Sequence, residues 1–244
     1  MQNYKIVLCY DGSRYLGWQK QGSNTGTVQG KLEDLLTRFD GAPVEVHGSG
    51  RTDAGVHAKA QVVSFRLRNK KDCDEILTCL RSFLPEDIGA LSVEEADERF
   101  HARLSAVRKT YVYTLWTDET PCVFERKYTY VLRSDLDIEA MRKAAALLCG
   151  THDFSAFCSN PHMKKSTVRT VERIDISKTE HGLRFSFTAN GFLYHMVRIL
   201  TGTLIEIGRG ERTPDSVAEL FGKRRENAGF TAPACGLCLT EVEY

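Results

Sequence analysis

The chain has 244 residues, 42% hydrophobic and 27% charged, and its 33 Lys and Arg against 32 Asp and Glu leave a formal net charge of +1. These values suit a globular protein of one large or two small domains. They exclude a membrane-spanning run of about 18 apolar residues and a small disulfide-built secreted domain, and they give no bulk sign of a nucleic-acid binder. The opening Met1–Asp11 has too short an apolar core for a signal peptide, so the expected compartment is the cytoplasm.

Tyr4 to Tyr10 reads as a first strand, followed by a Gly-rich loop through Gly26. Thr27 can cap a helix with Val28, Leu32, Leu35, Leu36 and Phe39 on one face. Val44 to His47 and Gln61 to Leu67 read as strands on either side of a polar turn. Asp72 can cap a second helix carrying Ile76, Leu77, Leu80, Phe83 and Leu84, stopped by Pro85. Ile88 to Val93 closes a β-α-β-β-α-β order, the ferredoxin-like arrangement.

The remainder repeats that order with larger insertions. Val107 to Trp116 alternates as a strand, and Tyr128 to Leu132 is placed beside it. Asp137 opens a helix through Met141, Ala144, Ala145 and Leu148 that ends at Gly150. Thr167 to Ser177 and Leu183 to Thr188 form a hairpin turning at His181-Gly182. Phe192 to Ile207 is a strongly apolar helix, Thr213-Pro214 starts a short surface helix, and Leu237 to Val242 is the last strand. The expected fold is α+β: two ferredoxin-like halves, 1–104 and 105–244, joined into one mainly antiparallel sheet with a broad central cleft.

Gly50-Arg51-Thr52-Asp53-Ala54-Gly55-Val56-His57 carries the clearest chemical signal. Gly48, Gly50 and Gly55 permit backbone conformations that a Cβ resists. Asp53 is thereby placed on a tight turn between strands, with Arg51 two residues before it. The residues alone leave two readings open: a presented catalytic carboxylate, or a solvent-facing Asp in a polar turn.

Other familiar machinery is missing. No phosphate-binding G-x-x-x-x-G-K-[ST] loop, no G-x-G-x-x-G fingerprint after a strand and no G-x-S-x-G elbow occurs. Cys235-Ala-Gly-Cys238 is a lone C-x-x-C, and zinc would need a second pair, so no metal is expected. Basic residues are grouped rather than spread: Arg99, His101, Arg103, Arg108 and Lys109, then His162, Lys164, Lys165, Arg169 and Arg173. With Arg14 and Lys20 near Tyr15 and Trp18, they suit a phosphate backbone and stacked bases, or simply solvated faces.

Arg198 lies inside the apolar run Phe192 to Gly202, where a buried cation needs a partner. Asp53 is one candidate; Glu206 and Glu226 are others. Tyr111 shares a strand face with Tyr113, which suits either base stacking or a cross-strand structural role.

The Asp53 motif, the Lys109-Thr-Tyr111-Val-Tyr113 strand and Phe192-Leu-Tyr-His-Met-Val-Arg198 together resemble the TruA family of tRNA pseudouridine synthases. So do Tyr10-Asp-Gly12, Gly17-Trp-Gln19, Thr27-Val-Gln29, Gly150-Thr-His-Asp-Phe154 and Thr231-Ala-Pro-Ala-Cys-Gly236-Leu-Cys-Leu. The motifs run in family order from near residue 10 to the C-terminus. The resemblance implies isomerisation of uridine to pseudouridine in the tRNA anticodon stem-loop, at positions 38, 39 and 40, with no metal, nucleotide or other cofactor. It implies Asp53 as essential carboxylate, acting at the sugar C1′, at the base or on the C2′ proton. Tyr111 would stack on the target base, and Arg198 would pair with Asp53 and hold the flipped nucleotide. Arg14, Arg51, His57, Arg108 and Lys109 complete the expected substrate-binding set with Tyr111. A homodimer is implied, and no membrane partner. Ile199 and Cys238 depart from the family's commoner polar and aromatic residues. Two other classes compete with this reading, a non-catalytic RNA-binding module and an enzyme acting on a small ligand.

Overall fold

The alternation of Tyr4, Ile6, Leu8 and Tyr10 puts four apolar side chains on one face of strand β1 (Gln2–Tyr10), and all four are buried in the computed structural model. Each such side chain taken from water contributes about 1.5–3 kcal/mol. The structure describes residues 1–22 and 26–244, so part of the expected Gly-rich loop, residues 23–25, lies outside the described residues.

Two units divide the chain, Met1–Val107 with Cys238–Tyr244, and Arg108–Leu237. The expected boundary at 104 therefore moves to Val107, and the closing strand groups with the first unit. That strand's sequence has the right periodicity, but periodicity does not name the edge a strand joins.

In the first unit β1 pairs antiparallel with both β3 (His57–Leu67) and β4 (Ile88–Glu95). The short β2 (Val46–Gly48) pairs antiparallel with Val63–Phe65 of β3. Cys238 and Leu239 pair parallel with His57 and Ala58 at the other end of β3. Helix α1 (Val28–Asp40) starts where Thr27 Oγ1 accepts the Gly30 N–H at 3.2 Å and stops at left-handed Gly41. Its buried Glu33 is satisfied by Gln29 Nε2 (3.0 Å) and Lys20 Nζ (3.1 Å), which meets the need of a buried carboxylate for partners. Helix α2 (Cys73–Phe83) is capped by Asp72. Its buried stripe is Ile76 and Leu80 alone; Phe83, expected on that face, is 69% exposed in the last turn.

In the second unit β5 (Arg108–Trp116) pairs antiparallel with β9 (Gly182–Ala189), β9 with β8 (Val168–Thr179), and β8 with β7 (Gly150–Asp153). The two-residue β6 (Tyr130–Val131) runs parallel to the end of β5. Helix α3 (Ile138–Leu148) buries Met141, Ala144, Ala145 and Leu148 as expected. The expected α+β class with mainly antiparallel pairing is observed.

Three local readings change. The hairpin turns at Glu180-His181, and Gly182 already belongs to β9; a Cβ there would lie 2.2 Å from the Leu115 carbonyl oxygen of β5. Helix α3 stops at Leu148 with Cys149 as its C-cap, and Gly150, at φ 114°, opens β7, a strand the sequence did not suggest. Helix α4 spans Met196–Gly208, so Phe192–His195 precede it. Among the described residues, no helix is long and apolar enough to cross a membrane.

Candidate active site

Asp53 sits half-buried on a turn closed by the Val56 N–H donating to its carbonyl at 3.1 Å, with Gly55 at φ 79°. The chain just after β1 braces this turn from about forty residues away in sequence. Trp18 N–H donates to the Thr52 carbonyl (3.0 Å), and Tyr10 Oη shares a 2.8 Å hydrogen bond with Thr52 Oγ1. Gly17 has φ 92°, and a Cβ on it would lie 2.7 Å from Thr52 O and 3.1 Å from Ala54 N. Only glycine allows both that conformation and that approach. Gly12 is closer still: a Cβ there would lie 2.0 Å from Val56 O. The other flank is tied by Ser49 Oγ donating to Gln61 Oε1 (2.6 Å) and Gln61 Nε2 donating to Gly50 O (2.8 Å). Burial holds the Tyr10 hydroxyl well above the usual tyrosine range, so it stays a neutral O–H. The carboxylate is thus carried on a backbone with few ways to move.

The expected substrate-binding residues of this unit have different fates. Arg51 is exposed and donates its Nε–H to Gln19 Oε1 at 2.9 Å. Arg14 is exposed with a guanidinium 3.7 Å from Asp87. His57 is 5% exposed, and its Nδ1 accepts the Gly12 N–H at 3.0 Å and lies 3.2 Å from Asp11 Oδ1. A residue so enclosed steadies the Asp11–Gly12 loop from inside.

In the second unit Tyr111 stands opposite Phe187 in the β5–β9 register and is 7% exposed. Its ring meets Phe192 edge-on, centroids 5.2 Å apart at 87°. Tyr113, two residues on, is fully buried and donates its hydroxyl to Pro233 O at 2.8 Å. Gly236 lets that ring pass, since a Cβ would fall 2.7 Å from it. Arg198 is half-buried on α4; its Nε–H donates to Ala232 O (2.7 Å), and Ala232 N–H returns a bond to Arg198 O (3.1 Å). This close approach depends on Gly202, where a Cβ would lie 1.9 Å from Phe230 O. Glu206, weighed as a partner for Arg198, is taken by Arg212 (2.5 Å) and the Phe230 N–H (3.0 Å). Arg108 pairs with Glu172 at 3.2 Å, and Lys109 lies half-exposed beside it.

The basic groups are only partly available. Arg173 is paired with Asp175 (2.7 Å), and Arg169 donates to the carbonyls of Ser166 and Val168. His162, Lys164 and Lys165 are exposed. The bracing roles of Tyr10, Gly17 and Thr52 were not assigned from sequence, although all three stand in motifs that carried the resemblance. Among the described residues no group of three or more His, Cys, Asp or Glu side chains is arranged to hold a metal.

The family model described as tRNA pseudouridine synthase matches residues 6–104 and 144–244. A protein of Moorella thermoacetica named tRNA pseudouridine synthase A is 46% identical over 242 residues, 98% of each chain. A Bacillus sp. (strain KSM-64) protein of the same name is 41% identical over 245 residues, the whole of both chains. A Clostridium perfringens protein named tRNA pseudouridine synthase A 2 is 40% identical over the same span. A solved structure titled as a Cbf5-Nop10-Gar1 complex covers 97% of this chain and 48% of that one, at TM-score 0.40 and 10% identity, too weak a likeness to argue from. The sequence matches define the class of the molecule: an isomerase. The chain belongs to the tRNA pseudouridine synthase family.

Proposed function

We propose that this chain isomerises uridine to pseudouridine in the anticodon stem-loop of tRNA, at positions 38, 39 and 40, with Asp53 as the essential carboxylate. The observation that carries the reading is the bracing of the Asp53 turn through Thr52 and Val56. Pre-positioning a reacting group lowers the entropy it must lose in the transition state. The reaction breaks the bond from sugar C1′ to base N1 and forms one from C1′ to C5. The C5 proton leaves to water and N1 takes one up, so atoms and electrons balance without an oxidant, a reductant or any other cofactor.

In this proposal Asp53 acts on a nucleotide flipped from its helix, at a cost of a few kcal/mol that contacts to the RNA offset. Tyr111 stacks on the target base, and Arg198 supports Asp53 and the flipped nucleotide. Exposed Arg14 and Arg51 with half-exposed Arg108 and Lys109 hold phosphates. The working form is a cytoplasmic homodimer.

The test is tritium release from tRNA labelled at uridine C5, with wild type and Asp53→Asn. Release by wild type, and none by a folded, tRNA-binding Asp53→Asn, is expected. Transcripts with cytidine at 38, 39 or 40 should lose the corresponding share of release. Full release from a transcript lacking all three uridines overturns the positions; release by Asp53→Asn overturns the carboxylate. Sedimentation equilibrium checks the dimer.

A further inference from the structure

Phe192 to His195 are the residues of the apolar run that α4 leaves out, and they adopt an unusual conformation. His195 has φ 63° and is the one non-glycine residue with positive φ among the described residues. Side chains with a Cβ adopt that region rarely, and it persists where the surroundings impose it, often at functional sites. In extended chain, neighbouring side chains point to opposite faces. Here the left-handed residue folds Tyr194 and His195 onto each other, ring centroids 3.8 Å apart at 28°.

Tyr194 is 53% exposed, so the stack is offered to solvent rather than spent on the core. Its setting is specific. The Ser159 N–H donates to Tyr194 O at 3.1 Å, joining this turn to the loop that carries exposed His162, Lys164 and Lys165. Two residues back, Phe192 sets its ring against Tyr111. Three residues beyond His195, in the first turn of α4, stands Arg198.

We infer that Tyr194 and His195 form a stacking platform for a second, unpaired nucleobase of the RNA, next to the uridine that reacts. This rests on the activity proposed above. A ring already stacked on one side offers its outer face to any base, since every base has a π-face. Single-stranded RNA loops are commonly held on aromatic and imidazole rings in this way. The Lys164–Lys165 loop supplies cations for the adjoining phosphates.

The test uses tRNA carrying 2-aminopurine at an unpaired anticodon-loop position beside the target, read by fluorescence and by tritium release. Wild type and Tyr194→Phe should quench the probe equally. Tyr194→Ala should abolish the quench and raise KM about 5- to 100-fold, the range for loss of one base stack, with a smaller fall in kcat. That loss should be the same at 50 and 200 mM salt, whereas the loss in a Lys164→Gln/Lys165→Gln variant should shrink as salt rises. His195→Gly, which accepts φ 63° freely, keeps the turn while removing the lower ring and should weaken quenching partway. Unchanged quenching and KM in Tyr194→Ala, with wild type active, overturns the platform alone. Equal damage in Tyr194→Phe and Tyr194→Ala also overturns it, by assigning the effect to the hydroxyl. No tritium release by wild type overturns the activity on which the platform rests.

Discussion

Tyr10 and Thr52 share a hydrogen bond of 2.8 Å between two buried hydroxyls, one residue before Asp53. It links the end of the first strand to the catalytic candidate's own turn, and both residues are buried, Tyr10 at 5% and Thr52 at 6% exposure. Tyr10→Phe therefore strands the Thr52 hydroxyl, at a cost of about 1–3 kcal/mol. That corresponds to roughly 2–10 °C in Tm for a chain of this size, and tritium release should fall with it. The double variant Tyr10→Phe/Thr52→Val removes both polar atoms and should be more stable than Tyr10→Phe alone. Thermal unfolding of the three proteins decides it.

Gly17 and Gly41 both have positive φ, but only Gly17 has backbone within reach of a Cβ. Gly41→Ala should cost about 1–2 kcal/mol, the penalty of the conformation itself, and leave the rate of catalysis near that of wild type. Gly17→Ala adds a clash with the Thr52 and Ala54 backbone and should displace the turn. Its activity should drop at least about tenfold at a temperature where both variants are fully folded. Equal activities would show that the bracing does not control the turn.

Arg198→Lys keeps the charge and loses the Nε–H that donates to Ala232 O. Since the group is half-buried, about 1–2 kcal/mol of stability should go. Turnover should fall more steeply than stability predicts, because a lysine ammonium is not fixed by the 229–232 segment. Tritium release measured beside Tm separates the two effects.

The Cys238 thiol is pushed up to about 11 by burial, and burial also raises Cys235, whose S–H points to Thr129 O at 3.3 Å. Both should remain neutral thiols near neutral pH and react slowly with iodoacetamide in the native protein. The folded state holds the Cys238 proton between the ordinary thiol value near 9 and about 11, while the unfolded state releases it. Stability should therefore fall as pH rises through that window, and the slope should flatten in Cys238→Ala. Urea unfolding between pH 8 and 11 checks the sign.

Much of the architecture was legible in the residues because its causes are local. Alternation marks Tyr4 to Tyr10 as a strand, and Thr27, Asp72 and Asp137 cap their helices within three residues of sequence. The glycine-bracketed Asp53 turn and the inward face of Tyr111 and Tyr113 follow from the same short-range rules.

Only the tertiary structure decided what depends on two distant backbones meeting. No local pattern says that Gly12 and Gly17 lie against Val56 and Thr52, or that Gly182 must lack a Cβ because Leu115 passes it. The same holds for His57, a polar residue beside a candidate site that turns out to be enclosed and bonded to the Gly12 amide. The strand at Cys238 shows its periodicity in sequence but takes its partner, His57–Ala58, from the packed chain. Propensity and capping act over a few residues; close approach and shared hydrogen bonds are settled when segments far apart in sequence compete for the same space.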